Sequence, residues 1–333
     1  HQAFLHSHTY QQCLKILEQD WKSYFNASRD FQQNPDKYTG QPRQPGFKGR
    51  DKKNQVVFTN FAIRIHGRTL KLSLAKAMQQ AFHVDSLNLT LPRWVLKHVN
   101  LSAVQQARWL WERSRSQWCL IIIYRKGEQA IPELFTNVMS IDLGLDNLCA
   151  ITFRDSVAQF LINGKPLKSK NAWYNQSIAR LTRVRMKETG SSRFKRTKRI
   201  QNLNRKRRQY FHDSLHKASR WIVNLAIEQK CSTLVIGDIK GIKQGNPIKG
   251  FVQITIQMLV DLIRYKAELV GIEVVLVQEH YTSGVSAYDL EPLDKRHYNA
   301  NRRIRRGLFR TNDGHLVSSD VNGSLNILRR YDK

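Results

Sequence analysis

Acidic residues are scarce in this chain. Its 333 residues hold 26 Asp and Glu against 55 Lys and Arg, a formal net charge of +29. The sequence pI is near 10.3. A compact fold with that charge repels itself unless a polyanion compensates. Nucleic acid is the natural partner, because each neutralised phosphate releases a counterion. Cysteine is also sparse: Cys13, Cys119, Cys149 and Cys231 are the four, and no CxxC pair exists. That argues against zinc at its usual spacing. Cys119, Cys149 and Cys231 sit in or beside apolar runs, as reduced buried thiols do, and an intracellular location is expected. No apolar run approaches the roughly 20 residues of a membrane span, no signal peptide is legible, and no membrane partner is expected. No repeat period is visible. The chain begins with His rather than Met, so a preceding piece is expected.

What is present is ordinary apolar content, 41%, and length enough for two or three domains. Tyr10, Leu14, Leu17, Trp21 and Phe25 fall three or four apart and predict a helix over 9–26, with Thr9 as a possible N-cap. A Pro, Gly and Gln-rich stretch follows and reads as a boundary. From about 55 to 127 the signal is mostly strand: "QVVFTNFAIRI", "TLKLSL", "SLNLTL" and "QWCLIIIYRK". These predict a small β-barrel or sandwich. Trp109, Trp111 and Trp118 fall in this region, where core packing is the expected role. At "NVMSIDLGLDNLCAITF" two apolar strands flank a turn, the opening hairpin of a mixed α/β sheet. Residues 171–230 read as a long helical region, basic over 180–220. Then come a strand "STLVIGD", a helix, a strand "IEVVLVQE", a basic loop-rich piece and a final helix starting near Ser319 or Asp320.

Two segments carry acids where apolar residues are the rule. Asp142 interrupts a buried strand, and an acid there pays a desolvation cost unless something pairs with it. Asp320 opens a helix ahead of Val321, Leu325 and Leu328, as an N-cap, a ligand or both. Carboxylates from distant segments, with a third, make an oxygen-rich site suited to Mg²⁺. Two such ions can drive phosphodiester hydrolysis. That is the chemistry of a ribonuclease-H-type nuclease.

"SIDLGLDNLCAITF" resembles the first RuvC motif of transposon-encoded TnpB proteins, relatives of the type V CRISPR effectors. "SSDVNGSLNILRR" resembles their third motif. "INGKPLKSKNAWYN", "YKAELVGIEVVLVQEHYTS" and "IRRGLFRTNDGHLVSSDVNG" match one TnpB subgroup closely. The resemblance runs from about residue 40 to the end. It implies an RNA-guided DNA endonuclease, with a guide RNA from the transposon end, target double-stranded DNA as partner, Mg²⁺ as cofactor and a cytoplasmic location. The implied fold class is α/β, an RNase H-like RuvC domain plus a helical and β-barrel lobe. The implied organisation is a helical recognition segment over 1–40 and a wedge-like β-barrel over 41–135. A nuclease core over 136–282, a basic insertion over 283–316 and a final helix over 317–333 follow.

Two departures from the family stand out. Most members end the second-motif strand in Glu, and here that place is Gly237, followed by Asp238. Most members carry two CxxC pairs in the insertion, and here it has no Cys, so no zinc is expected. The third carboxylate is then Asp238 or Glu279. A one-residue shift on a strand turns a side chain to the other face. The matching subgroup carries Glu-x-Tyr-Thr-Ser, here Glu279, Tyr281, Thr282 and Ser283, and tends to lack the second-motif Glu. Glu279 is therefore favoured over Asp238, beside Asp142 and Asp320, as catalytic residue and metal ligand. Asp146 reads as ordinary turn chemistry with no catalytic role.

Within 180–220 the only acids are Glu188 and Asp213. Arg193, Lys195, Arg196, Lys198, Arg199, Arg205, Lys206, Arg207 and Arg208 form a basic run suited to the phosphates of a guide–target duplex. Arg302, Arg303, Arg305 and Arg306 make a second patch. Lys165 and Lys168 contact guide RNA by resemblance. The rivals are a nuclease-inactive guided DNA-binding repressor and a transposase acting without RNA.

Overall fold

The computed structural model describes residues 2–47, 49, 53–112, 117–127, 134–194, 196–238 and 256–332. The chain divides into two compact units, His1–Gly127 and Glu128–Lys333.

The first unit opens with α1, Ser7–Gln33. Thr9 does not cap it: the cap position is His6, with no side-chain cap bond, and Thr9 is buried in the first turn. Six strands follow: β1 Val56–Thr59, β2 Ile63–His66, β3 Thr69–Ser73, β4 Ser86–Thr90, β5 Val104–Glu112 and β6 Gln117–Tyr124. Helices α2, Lys76–Phe82, and α3, Arg93–His98, flank β4. The continuous run "VVFTNFAIRI" is cut in two by a 3-10 turn, Asn60–Ala62. The ladders give one sheet of order β1-β5-β6 and another of order β2-β3-β4. Among the described residues no ladder joins them. Both feed one core, in which Phe58, Ile63, Leu70, Leu72 and Ala107 are buried. Strand β3 has the alternation of a half-buried strand, with Leu70 and Leu72 inside and Thr69 and Lys71 outside. Trp109 packs against that core, whereas Trp118 is 42% exposed, so core packing is not its role.

The second unit is built on a five-stranded sheet of order β11-β10-β7-β8-β9. Its strands are β7 Asn137–Leu143, β8 Asn147–Phe153, β9 Phe160–Asn163, β10 Cys231–Asp238 and β11 Glu273–Gln278. The first three form an antiparallel meander, and β10 runs parallel to both β7 and β11. Helices α4, Lys165–Thr189, and α5, Lys198–Glu228, carry the chain from β9 to β10. The helical region read over 171–230 consists of two helices, separated where Gly190 takes a left-handed conformation at φ 64. Thr197 caps the restart by accepting from the Ile200 N–H. Helix α6, Ile256–Glu268, precedes β11. A short hairpin, β12 Leu308–Arg310 and β13 Leu316–Ser318, precedes α7, Ser319–Tyr331.

Both faces of the sheet are covered, which is why β7 and β10 read as nearly unbroken apolar runs. Met139, Ile141, Leu143, Leu234 and Ile236 pack with α5 and α6. Val138 and Val235 pack with Ile327 and Leu328 of α7 on the other face. Side chains on a strand alternate between faces. Asp142 therefore shares the α7 face with Val138 and Ser140. Gly237 shares it with Val235. Residue 238 falls on the opposite face, with Leu234 and Ile236.

The α7 face is polar at its centre. Ser140 Oγ donates to the Ser324 carbonyl at 2.8 Å, and Ser324 Oγ donates to the Ser140 carbonyl at 3.1 Å. Thr152 Oγ1 lies 2.7 Å from Ser140 Oγ. These bonds replace apolar contact and allow close approach of helix to sheet. A β-carbon on Gly323 would stand 2.5 Å from Asp142 Oδ2, so only glycine fits there without displacement.

Candidate functional site

The C-terminal end of β7, the residue after β11 and the first turn of α7 meet at one pocket of about 450 Å³. Asp142, Glu279 and Asp320 all line it, while Asp238 is not among its lining residues. The reason is strand parity. Gly237 pairs with Val277 and Asp238 with Gln278. Val277 packs on the α7 face, so Glu279, two residues on, returns to that face. A β-carbon on Gly237 would stand 1.9 Å from Glu279 Oε1. The glutamate carboxylate thus fills the space that a side chain on β10 would take.

The three acids are held differently. Burial pushes Asp142 well above the usual carboxylate range, and the charges of Glu279 and Asp320 push it further; Arg303 opposes them. Burial raises Glu279 to about 7, with Asp238 adding repulsion. Glu279 Oε1 is buried and finds no hydrogen-bond partner among the described residues. Asp320 is not the cap of α7. Ser318 is, accepting from the Val321 N–H at 3.4 Å. Asp320 sits in the first turn, where the helix dipole favours a negative charge, and accepts from Asn147 Nδ2 at 2.7 Å.

Sequence reasoning did not single out Asn147, nor two further asparagines. Asn322 Nδ2 donates to the Val285 carbonyl at 2.8 Å, and its Oδ1 accepts from the Ala287 N–H. Asn326 Nδ2 donates to the carbonyls of Thr282 and Val285. Both are fully buried. They stitch the loop after Glu279 onto α7 and so set the height of that glutamate. Their signal was two Asn four apart on one helix face, where apolar residues are expected.

The basic residues divide into two groups. Arg193, Arg196, Lys198, Arg199, Lys206, Arg208, Lys165 and Arg305 are exposed. Arg205 bonds along its own helix to Gln209 at 3.1 Å. Lys168 and Arg306 both pair with Asp146, the former at 2.7 Å. Asp146 is thus more than a turn residue, and the Lys168 bond holds its carboxyl below the usual range. Arg303 lines the pocket and donates to Ser319 Oγ at 3.4 Å. Two arginines face inward instead. Arg302 is 13% exposed and pairs with Glu291 at 2.6 Å and Asp289 at 3.2 Å. Arg207 donates to the buried Asn171 at 2.8 Å and stacks its guanidinium over Phe211 and Tyr174. Lys195 lies outside the described residues.

Among the described residues no three His, Cys, Asp or Glu side chains form a ready-made cation cluster. The fit to a hard cation rests on other features: an all-oxygen donor set, the partnerless Glu279 Oε1, and missing β-carbons at Gly237 and Gly323 beside two of the carboxylates.

Two family models match the chain. Residues 122–243 match the OrfB_IS605 probable transposase family, and residues 257–327 match the Cas12f1-like TNB domain. Each match covers less than half of the chain and holds part of the pocket: Asp142 lies in the first, and Glu279, Arg303, Arg306 and Asp320 lie in the second. The CRISPR-associated endodeoxyribonuclease Cas12f1 of Sulfoacidibacillus thermotolerans is 26% identical over 219 residues, 64% of this chain and 50% of that protein. The chain spans about half the length of this curated relative. A cryo-EM structure of a Cas12f1–sgRNA–target DNA complex aligns at a TM-score of 0.59 and 15% identity, over 93% of this chain and 70% of that one. That likeness is one of fold, a mixed α/β architecture with flanking helices. Among the described residues no helix is long and apolar enough to cross a membrane.

Proposed function

We propose that this chain is a TnpB-like RNA-guided DNA endonuclease, cutting target DNA beside a short adjacent motif by two-metal phosphodiester hydrolysis. The observation that carries the reading is the meeting of Asp142, Glu279 and Asp320 in one pocket with Lys165, Arg303 and Arg306 around them. Carboxylates alone would repel a phosphodiester, and the three cations offset that repulsion. The Cas12f1 relative is described as an endodeoxyribonuclease, and the similar Cas12f1 structure holds guide RNA and target DNA. A guide RNA from the transposon end and target double-stranded DNA are the partners proposed here.

Asp142, Glu279 and Asp320 would hold Mg²⁺, which supplies charge on the phosphodiester oxygens and an activated water. The protein contributes placement. Asn147 fixes the Asp320 carboxylate. Gly323 admits Asp142 against α7, and Gly237 admits Glu279 against β10. Arg303 and Arg306 draw the strand's phosphates toward the carboxylates. The exposed residues Arg193, Arg196, Lys198, Arg199, Lys206 and Arg208 track the guide–target duplex by its backbone, and base pairing reads the sequence. The first unit holds the guide scaffold and reads the adjacent motif.

The test is plasmid cleavage by the purified protein–RNA complex with Mg²⁺. Guided cutting is expected from the wild type. Asp142→Ala and Asp320→Ala should each stop it while guided DNA binding survives. A wild type that binds the target and leaves it intact would support the nuclease-inactive reading instead. A preparation that carries no RNA and still cuts would contradict guided action.

A further inference from the structure

Four carboxylates line the pocket, and Asp146 is unlike the other three. It sits in the turn between β7 and β8 and is matched by cations. Its Oδ1 accepts from Lys168 Nζ at 2.7 Å, and its Oδ2 pairs with Arg306 Nε. Lys165 adds a third positive charge close enough to act on it. One negative charge thus stands among three positive ones.

The carboxylate is the fixed member of this group. The Asp146 backbone carbonyl accepts from the Gly164 N–H at 2.8 Å, which ties the turn to the start of α4. A β-carbon on Gly164 would collide with the Leu145 carbonyl, so turn and helix start are in close contact. The cations are the movable members. The Asp146 side chain is 24% exposed, whereas those of Lys168 and Arg306 are 47% and 64% exposed, on long flexible stems. Arg306 comes from a remote segment, just before β12. Ion pairs this exposed add little stability, so holding the fold together is a poor account of cations gathered on one acid. A guanidinium beside an ammonium is a common way to hold a phosphate. A carboxylate offers them paired oxygens and a single negative charge, as a phosphodiester does.

We propose that Arg306 and Lys168 form a subsite for one phosphate of the DNA strand entering the pocket, and that Asp146 fills this subsite in the free protein. A strand must displace the carboxylate from both cations, which weakens the hold on any strand not otherwise delivered to the pocket. The inference rests on the reading that this pocket takes a DNA strand, and it adds a restraint on that same site.

The experiment measures the full chain binding a short unstructured DNA strand, in chelator so that nothing is cut. Asp146→Asn keeps the side-chain shape and the backbone bond to Gly164. It should bind the strand about threefold more tightly than the wild type, the order of one partly exposed ion pair. The slope of log affinity against log salt should steepen by about 0.7, the share of one more neutralised phosphate on a single strand. Glu18→Gln makes the same change of charge beside Lys22 and should match the wild type. In a chain that carries Arg306→Gln and Lys168→Gln, adding Asp146→Asn should gain nothing. Asp146→Asn binding no tighter than the wild type overturns the proposal, and weaker binding does so too, since a merely structural tie would loosen. A gain that survives the loss of both cations, or that Glu18→Gln reproduces, overturns it as well. The readout is binding, so a protein that never cuts DNA can pass this test, and a guided nuclease can fail it.

Discussion

Gly237 and Glu279 compete for one volume. A β-carbon on Gly237 would stand 1.9 Å from Glu279 Oε1, 2.7 Å from its Cδ and 2.9 Å from its Cγ. Strands β10 and β11 can therefore offer a carboxylate at this spot from one side or the other, never both. The atoms in the way are the far end of a flexible side chain. Gly237→Ala should displace that carboxylate without moving backbone. Its melting temperature should hold or rise slightly, since Gly within a strand is worse than Ala by about 0.5–1 kcal/mol. Guided cleavage should fall at least tenfold. Gly237→Glu combined with Glu279→Gly should recover part of the activity that Glu279→Gly alone loses. A Gly237→Ala protein that cuts at the wild-type rate would argue against a metal-ligand role for Glu279.

Asn147, at the start of β8, donates to Asp320 Oδ2 at 2.7 Å. Removing a group that orients a metal ligand typically costs about 10–100-fold in metal affinity or activity. Asn147→Ala should raise the Mg²⁺ concentration needed for half-maximal cutting by that order, with DNA binding unchanged. An unaltered Mg²⁺ requirement would remove Asn147 from the site.

The cysteine-free insertion is tied by charge. Arg302 bridges Asp289 and Glu291, and Arg329 Nη2 donates to the Glu291 carbonyl at 2.7 Å. Removing the guanidinium leaves two partly buried carboxylates with fewer partners, at a cost of about 1–3 kcal/mol. Arg302→Met should lower the denaturation midpoint accordingly. A zinc chelator should leave the wild-type midpoint where it is. A midpoint that collapses on chelation would mean that metal, not Arg302, holds this segment.

The exposed and inward arginines should part in a salt titration. Arg199→Ala should weaken nucleic-acid binding and reduce the slope of log affinity against log salt by about one. Arg207→Ala should leave the slope nearly unchanged and lower stability instead, because it loses Asn171 and the Phe211 face. Equal slopes for both variants would contradict this division.

Sequence and structure meet at these residues in an uneven way. Asp142 was legible because a charge in a buried strand is costly, and Gly237 because a family pattern is broken there. Alternation along β10 and β11 explains why residue 279, and not 238, returns to the α7 face. The inward turn of Arg302 was not legible. In sequence it is one of four arginines within five residues, and its carboxylate partners lie eleven and thirteen positions earlier. The same holds for Arg207. Local pattern gives the charge of a residue, while tertiary contacts decide whether it meets solvent or a buried partner. The caps failed for a related reason. Thr9 and Asp320 both stand near helix starts, but the chain enters each helix earlier, at Ser7 and Ser319.

The most direct test of the account is guided plasmid cleavage by Glu279→Ala and Asp238→Ala side by side, with target binding measured for both. The account predicts that Glu279→Ala binds target DNA and does not cut it, while Asp238→Ala does both. Loss of cutting in Asp238→Ala alone, with Glu279→Ala active, would contradict it.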